Sequence, residues 1–288
     1  MALAIVAGTA STLSFVFWEV FHRDAPMGVG NMRGTALTML VLGVPLLLLS
    51  VSLAARGSLR ALFVWLGCLG YFAYNAVMFC FAAHFNSFFL LFTALLALSF
   101  WSLVTLLRAI DLAVISAATA RVPTRSTAIY LLFSAAAFAA LWLQAIVPAT
   151  LRNEMPTVLT ELGLTQNTVW VLDFAFTFPL MVLGSIWLWK RRPWGYVVGG
   201  MMVTMLMLET AGIAVDQIFG HLHDPSAPLS AVPILAGFTA AGVFFSLLFL
   251  RGVRKPEKRR SDLARFAPRH AANARLAGPG VHEPSTAP

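Results

Sequence analysis

The sequence predicts an all-α protein, a polytopic bundle of about eight transmembrane helices with both termini in the cytoplasm. Of its 288 residues 59% are hydrophobic and only 11% are charged, whereas about a quarter are charged in soluble proteins. The apolar residues come in blocks of about 20, the length that crosses a bilayer as a helix. Because lipid offers no partner for backbone polar groups, each block is expected to be helical.

Eight apolar blocks make up the predicted bundle domain, residues 1–250. The first lacks the basic start of a secretory signal and is expected to remain as a span. Between the blocks, residues 108–125 are predicted to form an amphipathic helix on the membrane surface, and the short polar connection 150–167 is expected to cap the outer face. The blocks are 2–21, 35–55, 61–83, 87–107, 127–149, 168–189, 194–218 and 228–250.

Basic residues predict the orientation of the chain. Seventeen of the 20 Lys and Arg follow the even-numbered blocks or lie in the tail, and the other three are Arg23, Arg33 and Arg152. Basic connections stay in the cytoplasm, which predicts a multi-pass protein of the cytoplasmic (inner) cell membrane. The short turn between the sixth and seventh blocks is expected to set the topology and to contact lipid headgroups through Lys190, Arg191 and Arg192.

The tail, residues 251–288, is predicted to be a disordered basic cytoplasmic segment. It holds nine Lys and Arg against three Asp and Glu, and so supplies most of the net charge of +8. Such a segment attracts anionic lipids. Since the remaining 250 residues carry little net charge, the sequence does not predict nucleic-acid binding.

This orientation places the carboxyl groups of the spans on the extracytoplasmic side. Glu209 and Asp216 are seven residues apart and therefore share one helix face. Carboxyl groups inside spans usually face the bundle interior or a wet cavity. The alternative is that Asp216 lies at the interface and that Glu209 is protonated or paired with an arginine, Arg33 being a candidate. Asp173 is expected either to line the same cavity or to cap its helix. The predicted solute or ion cavity consists of Glu209, Asp173, Glu19, Arg33, Asn75, Asp216, Tyr74 and Asn86.

Three functions are consistent with these residues. The first is transport or sensing of a small solute or ion through an outward-facing polar cavity. The second is a membrane-embedded metal-binding protein or metalloenzyme, with a transition metal on His22, His84, His221 and His223. The third is a non-catalytic scaffold or complex subunit, whose acids pair with a partner chain or a second copy. No P-loop, GxSxG, HExxH or GxGxxG motif is present, so no enzyme class is predicted.

Two blocks suggest an internal repeat. The second and sixth each carry a central proline, Pro45 and Pro179, and end in a short basic turn. A four-span offset would give two halves of parallel orientation, as in some transporters. Chance similarity between apolar helices is the other explanation.

Several short segments resemble a group of bacterial polytopic integral membrane proteins of unknown function. The resemblance covers most of residues 1–215 and implies the same span number and the same polar positions, but no activity. The segments that carry it are Asn31–Thr35, Tyr71–Asn75, Ala83–Asn86, Leu90–Phe92, Asp173 and Arg191–Tyr196.

Overall fold

Within residues 1–254, seven helices are long and apolar enough to cross a bilayer. The structure, a computed structural model, describes residues 1–254. The predicted tail, 251–288, lies outside the described residues from position 255 onward. The seven are α2 Pro26–Ala55, α3 Leu59–Phe81, α4 Phe89–Arg108, α6 Thr124–Arg152, α8 Thr168–Trp189, α9 Pro193–His223 and α10 Val232–Gly252.

The first predicted span differs from the other seven. Helix α1 covers Ala2–Val16, only 15 residues, which is about 22 Å of helix against a hydrocarbon core of about 30 Å. The chain then tightens into a 3₁₀ turn, Trp18–Phe21. The length of α1 therefore does not confirm the first predicted span, nor the predicted total of eight spans.

Helix α2 begins at Pro26 rather than at residue 35, because close packing stabilises a stretch that is not strongly apolar. Gly30 contacts the backbone of α9 at Phe219, and Gly34 contacts it one turn away at Asp216. A Cβ atom on Gly34 would lie 2.7 Å from the Cα atom of Asp216. Small residues one turn apart allow two helices to approach closely, and here they bring α2 against the polar part of α9.

Both long connections contain a short helix. Helix α5, Leu112–Ala118, lies in the segment predicted to be amphipathic, and the Asp111 carboxylate caps it by accepting from the backbone N–H groups of Ala113 and Val114. It packs on α9 with its buried residues. Helix α7, Thr157–Leu162, lies in the predicted cap 150–167.

Helices α9 and α3 form the centre of the bundle. Of their most apolar stretches, 78% in α9 and 61% in α3 is buried, against 17–33% in the other five long helices. Helix α9 packs on α2, α3, α8 and α10. Polar residues on α9 and α3 are thus removed from lipid, whereas the outer helices present large apolar side chains on their surface.

Helices α2 and α8, which carry the central prolines Pro45 and Pro179, share one irregularity. Each widens into a five-residue π-helical turn, Met39–Gly43 in α2 and Asp173–Thr177 in α8. Each turn ends two residues before the proline, Pro45 or Pro179, whose nitrogen cannot donate a hydrogen bond. The likeness predicted for these two helices therefore extends to their backbone.

The two ends of the bundle differ in charge. At the end called here the basic end, Lys190, Arg191 and Arg192 form an exposed turn in which Arg191 adopts a left-handed conformation with φ 52°. At the opposite end, called the acidic end, α3, α6 and α9 terminate while α2 and α8 begin.

Candidate functional site: two acid-lined cavities

Two consecutive residues of α3 hold two different carboxyl groups. The Tyr74 hydroxyl donates to Asp173 Oδ1 at 3.2 Å, and the Asn75 amide donates to Glu209 Oε1 at 2.9 Å. All four side chains are buried. The structure therefore brings together four of the eight residues predicted for the cavity.

Asp173 occupies the first position of the π turn in α8 and does not cap the helix. Helix α8 begins at Thr168, and its cap is Asn167, whose side chain accepts from the backbone N–H of Trp170 at 3.2 Å. The second carboxylate oxygen of Asp173 instead accepts from the Trp142 indole N–H at 2.8 Å. The interpretation of Asp173 as a helix cap was therefore wrong.

Asp173 and Glu209 line one small cavity, called here the inner cavity. Its volume is about 30 Å³, enough for one or two water molecules. Tyr74, Thr177 and Thr210 supply further polar groups, and the rest of the wall is apolar. Two carboxyl groups thus share one small, wettable space between α3, α6, α8 and α9.

A larger cavity, called here the outer cavity, lies at the acidic end. Its volume is about 290 Å³, and its wall includes the carboxyl groups of Asp24, Glu161 and Asp216. Glu161 belongs to α7, so the predicted cap over this face does form part of the wall. Trp142 and Ile213 line both cavities and therefore stand between them.

Asp216 is held at the interface of α9 and α2. Its Oδ1 accepts from the Thr35 hydroxyl at 3.0 Å. With the Asn31 amide oriented so that its nitrogen faces these acceptors, it donates to the backbone oxygen of Asp216 at 2.9 Å and to that of Met27 at 3.2 Å. Because the glycines of α2 permit close approach, polar side chains of α2 reach α9 directly.

Within residues 1–254 the acids of the inner cavity have no basic partner, and of the acids of the outer cavity only Asp24 has one, His84. The ion pairs in that range join His84 to Asp24 and Arg152 to Glu154, and no Lys, Arg or His of the described chain lines either cavity. The charged neighbours of Glu209 are Asp173 and Asp216, both acidic, and the buried Tyr71 hydroxyl of α3 has no hydrogen-bond partner. An ionised carboxylate is costly in such surroundings, so protons or an entering cation must neutralise these groups.

Arg33 lies outside both cavities. Its guanidinium carbon is 5.0 Å from the centre of the Phe15 ring, 5.6 Å from that of Trp18 and 5.8 Å from that of Phe219. Arg33 is two residues from Thr35, so the two side chains leave α2 on roughly opposite sides. The predicted pairing of Glu209 with Arg33 is wrong, because Arg33 packs among aromatic rings.

Two further predicted residues also lie elsewhere. Glu19 is exposed in the 3₁₀ turn. Asn86 shapes the loop before α4: its Oδ1 accepts from the Phe88 N–H at 2.9 Å and its amide donates to the His84 oxygen at 3.0 Å. Neither side chain lines the inner or the outer cavity.

The four histidines predicted as metal ligands bond mainly to nearby groups. His22 contacts the oxygen of Glu19, His221 that of Ala227 and His223 that of Phe219, all within 3.0 Å, while His84 contacts Asp24. Across residues 1–254, no three His, Cys, Asp or Glu side chains form a group that could hold a metal ion.

Asp224, next to His223, belongs to an exposed turn. Hydrogen bonds from the Ser226 hydroxyl at 2.6 Å and the Ser226 N–H at 3.0 Å hold the pKa of the Asp224 carboxyl below its usual range. This carboxylate is therefore already satisfied within its own turn.

The sequence patterns did not assign Trp142, Thr35 or Asp24 to the cavities. Trp142 lies in an apolar block, and hydropathy does not show that its N–H faces a carboxylate. Thr35 stands at a predicted span boundary, and Asp24 stands in a connection beside the histidines. The spacing of Asn31 and Thr35, one turn apart, could have indicated a polar face on α2.

Comparison with known proteins gives no relative: no protein-family model, no curated protein and no solved structure matches this chain. The class of the protein therefore depends on its own architecture. Its seven long apolar helices are consistent with a multi-pass membrane protein in contact with a lipid bilayer. The resemblance to bacterial polytopic membrane proteins stays a prediction.

Proposed function

We propose that this is an eight-span membrane protein that exchanges protons for a small cation, with Glu209 as the protonatable centre and Asp173 as its partner. The observation that carries the proposal is the sharing of one buried cavity by these two carboxyl groups, in the absence of any basic residue from the lining. Transport, rather than sensing, is favoured because a second acid-lined cavity leads from the acidic end to the first.

The eighth span is α1, with the 3₁₀ turn completing its length. Helix α1 packs on both halves of α2, before and after the π turn, and also on α4. Contact along both halves of a membrane-spanning neighbour supports a helix that crosses with it. With the basic end in the cytoplasm, both termini lie inside and the outer cavity faces the extracytoplasmic space.

Exchange follows from the need to keep the inner cavity close to neutral. With both carboxyl groups protonated the inner cavity is neutral, so a cation that entered without the loss of a proton would leave an excess positive charge in an apolar surrounding. A cation that arrives from the outer cavity therefore displaces a proton, and its departure requires one. Asp173 and Asp216 are the acidic groups that face Glu209, and Tyr71 and Tyr74 are the hydroxyl groups beside it.

Trp142 and Ile213 are proposed to control passage between the cavities. Each of these residues lines both cavities, and the Trp142 side chain is held by its hydrogen bond to Asp173. A change in the charge of Asp173 alters the strength of that bond, since hydrogen bonds to ionised groups are the stronger. Protonation of Asp173 thereby loosens the side chain that separates the cavities.

The test uses the purified full-length protein in liposomes that contain a pH-sensitive dye. Na⁺, tetramethylammonium or benzyltrimethylammonium is added outside, and an inward cation gradient is expected to drive protons out and raise the internal pH for at least one of them. Glu209→Gln keeps an acceptor for Asn75 but cannot release a proton, so it should abolish the pH change. Glu19→Gln, the same substitution on an exposed acid, should preserve it.

Two outcomes would contradict the proposal. One is the absence of any pH change with all three cations in folded wild-type protein. The other is an unchanged rate in Glu209→Gln. Size-exclusion elution of each variant establishes that the compared proteins are equally folded.

A further inference from the structure

The outer cavity is far larger than a proton or a bare metal ion requires. Its volume of about 290 Å³ compares with about 30 Å³ for the inner cavity. It stands at the lower end of the range of small-molecule sites, about 300–1,000 Å³. The size therefore indicates a small molecule rather than a single ion.

The charge of the wall points to a cationic ligand. The Asp24 side chain is only 5% exposed, and its Oδ1 is held by His84, whose backbone N–H lies at 2.9 Å and whose Nδ1 lies at 2.7 Å. The other oxygen, Oδ2, is buried without a hydrogen-bond partner. Asp216 approaches the same cavity from α9. A donor that enters here and displaces the atoms covering Oδ2 would satisfy an acceptor that the folded chain leaves unpaired.

The remaining wall suits the apolar part of such a ligand. Trp142 and Trp170 both line the cavity, together with Met27, Met32 and Met78. Tryptophan faces attract cations, organic ammonium ions in particular, and methionine adapts to ligands of varied shape. Since residues 1–254 contain no metal-ligating group of three, this wall fits an organic cation better than a metal ion.

We propose that the outer cavity binds a small organic ammonium ion, an amine with a compact apolar or aromatic body. Its N–H groups donate to Asp24 Oδ2 and to the Asp216 carboxylate, and its body packs between the tryptophans and methionines. The inference goes beyond the proposed function and does not rest on it, because a ligand of this size suits the outer cavity of about 290 Å³ but not the inner cavity of about 30 Å³. Binding itself does not depend on Glu209.

The test is equilibrium dialysis of radiolabelled benzylammonium against the detergent-purified full-length protein near neutral pH. Saturable binding is expected, unlabelled benzylammonium should displace the label, and benzyl alcohol should compete at least about tenfold more weakly because it lacks the charge. Asp24→Asn and Asp216→Asn should each weaken binding by about tenfold or more. Glu19→Gln serves as the matched control and should bind like the wild type.

The use of two variants separates a loss of binding from misfolding. Asp24→Asn also alters the contact with His84, so Asp216→Asn, on a different helix, carries the test if the first variant elutes as an aggregate. Equal competition by benzyl alcohol, displacement of the label by Na⁺ at equal concentration, or unchanged binding in both variants would overturn the site.

Failure of the exchange function gives a different pattern. If benzylammonium binds as described but no cation drives proton release from liposomes, the ammonium site stands and the exchange function falls. If Na⁺ drives Glu209-dependent proton release while benzylammonium does not bind, the exchange function stands and the ammonium site falls.

Discussion

Asn75 and Glu209 form a 2.9 Å hydrogen bond that links the two most buried helices of the bundle. The neighbouring residue, Tyr74, makes a second bond to a different helix through Asp173. One turn of α3 therefore determines where both carboxyl groups of the inner cavity lie.

Asn75→Leu is expected to slow proton–cation exchange and to destabilise the protein. The substitution removes the donor to Glu209, and hydrogen bonds between transmembrane helices contribute about 0.6–2 kcal/mol. Stability is measured by unfolding in mixed detergent micelles and exchange by the liposome assay. Asn86→Leu makes the same change in the loop before α4 and should leave exchange intact; equal exchange in the two variants would refute the role of Asn75.

Tyr74→Phe is expected to reduce exchange, whereas Tyr130→Phe is not. Each change deletes one hydroxyl group, but that of Tyr130 donates at 3.3 Å to the Phe238 oxygen, away from both cavities. Each should cost about 0.5–1.5 kcal/mol of stability. Because Tyr74 and Trp142 share Asp173, Tyr74→Phe combined with Trp142→Phe should deviate from additivity, and an additive double variant would speak against a shared partner.

Arg33→Gln is expected to lower stability without changing exchange. The guanidinium packs against Phe15, Trp18 and Phe219, and cation–π contacts contribute about 0.5–2 kcal/mol. The unfolding midpoint in detergent and the liposome assay measure the two effects. A loss of exchange as complete as that of Glu209→Gln would contradict the position of Arg33 outside both cavities.

Ser226→Cys is expected to react with a membrane-impermeant maleimide in intact cells, and Lys190→Cys only after the cells are opened. Both positions are exposed, at the acidic and basic ends respectively. The background carries Cys80→Ser, since the other cysteine, Cys68, is buried. The reverse pattern would invert the proposed orientation.

His22→Cys and Ala2→Cys extend the same experiment to the first helix. Both residues are exposed, on opposite sides of α1 along the chain. If α1 crosses the membrane, only position 22 is labelled in intact cells. Labelling of both positions would leave a seven-span protein with its amino terminus outside.

Hydropathy predicted the helices well where apolar residues alone decide them. It placed the start of α2 too late, because residues 26–34 contain glycine, Asn31 and Arg33, and the contact of Gly30 and Gly34 with α9 is tertiary. It also predicted 2–21 as one span, since a change from helix to 3₁₀ turn at Val16 leaves no mark in average hydropathy.

The candidate site was only partly predictable, for a similar reason. Carboxyl and amide groups in apolar blocks are conspicuous, so Glu209, Asp173, Asn75 and Asp216 were found from residue type alone. Their neighbours depend on which faces of which helices meet. A single sequence could not show that Arg33 faces aromatic rings, or that Trp142 on α6 reaches Asp173 on α8.

The π turn of α8 makes the location of Asp173 a matter of chain register. Such a turn accommodates one residue more than an α-helical turn, and each residue of an α-helix corresponds to about 100° of rotation. Removing Ala175 from Asp173–Thr177 would preserve every acid of the protein, yet swing Asp173 away from Tyr74 and Trp142. A deletion of one residue in the π turn would therefore take the Asp173 carboxyl group out of the inner cavity without substituting any residue of its wall.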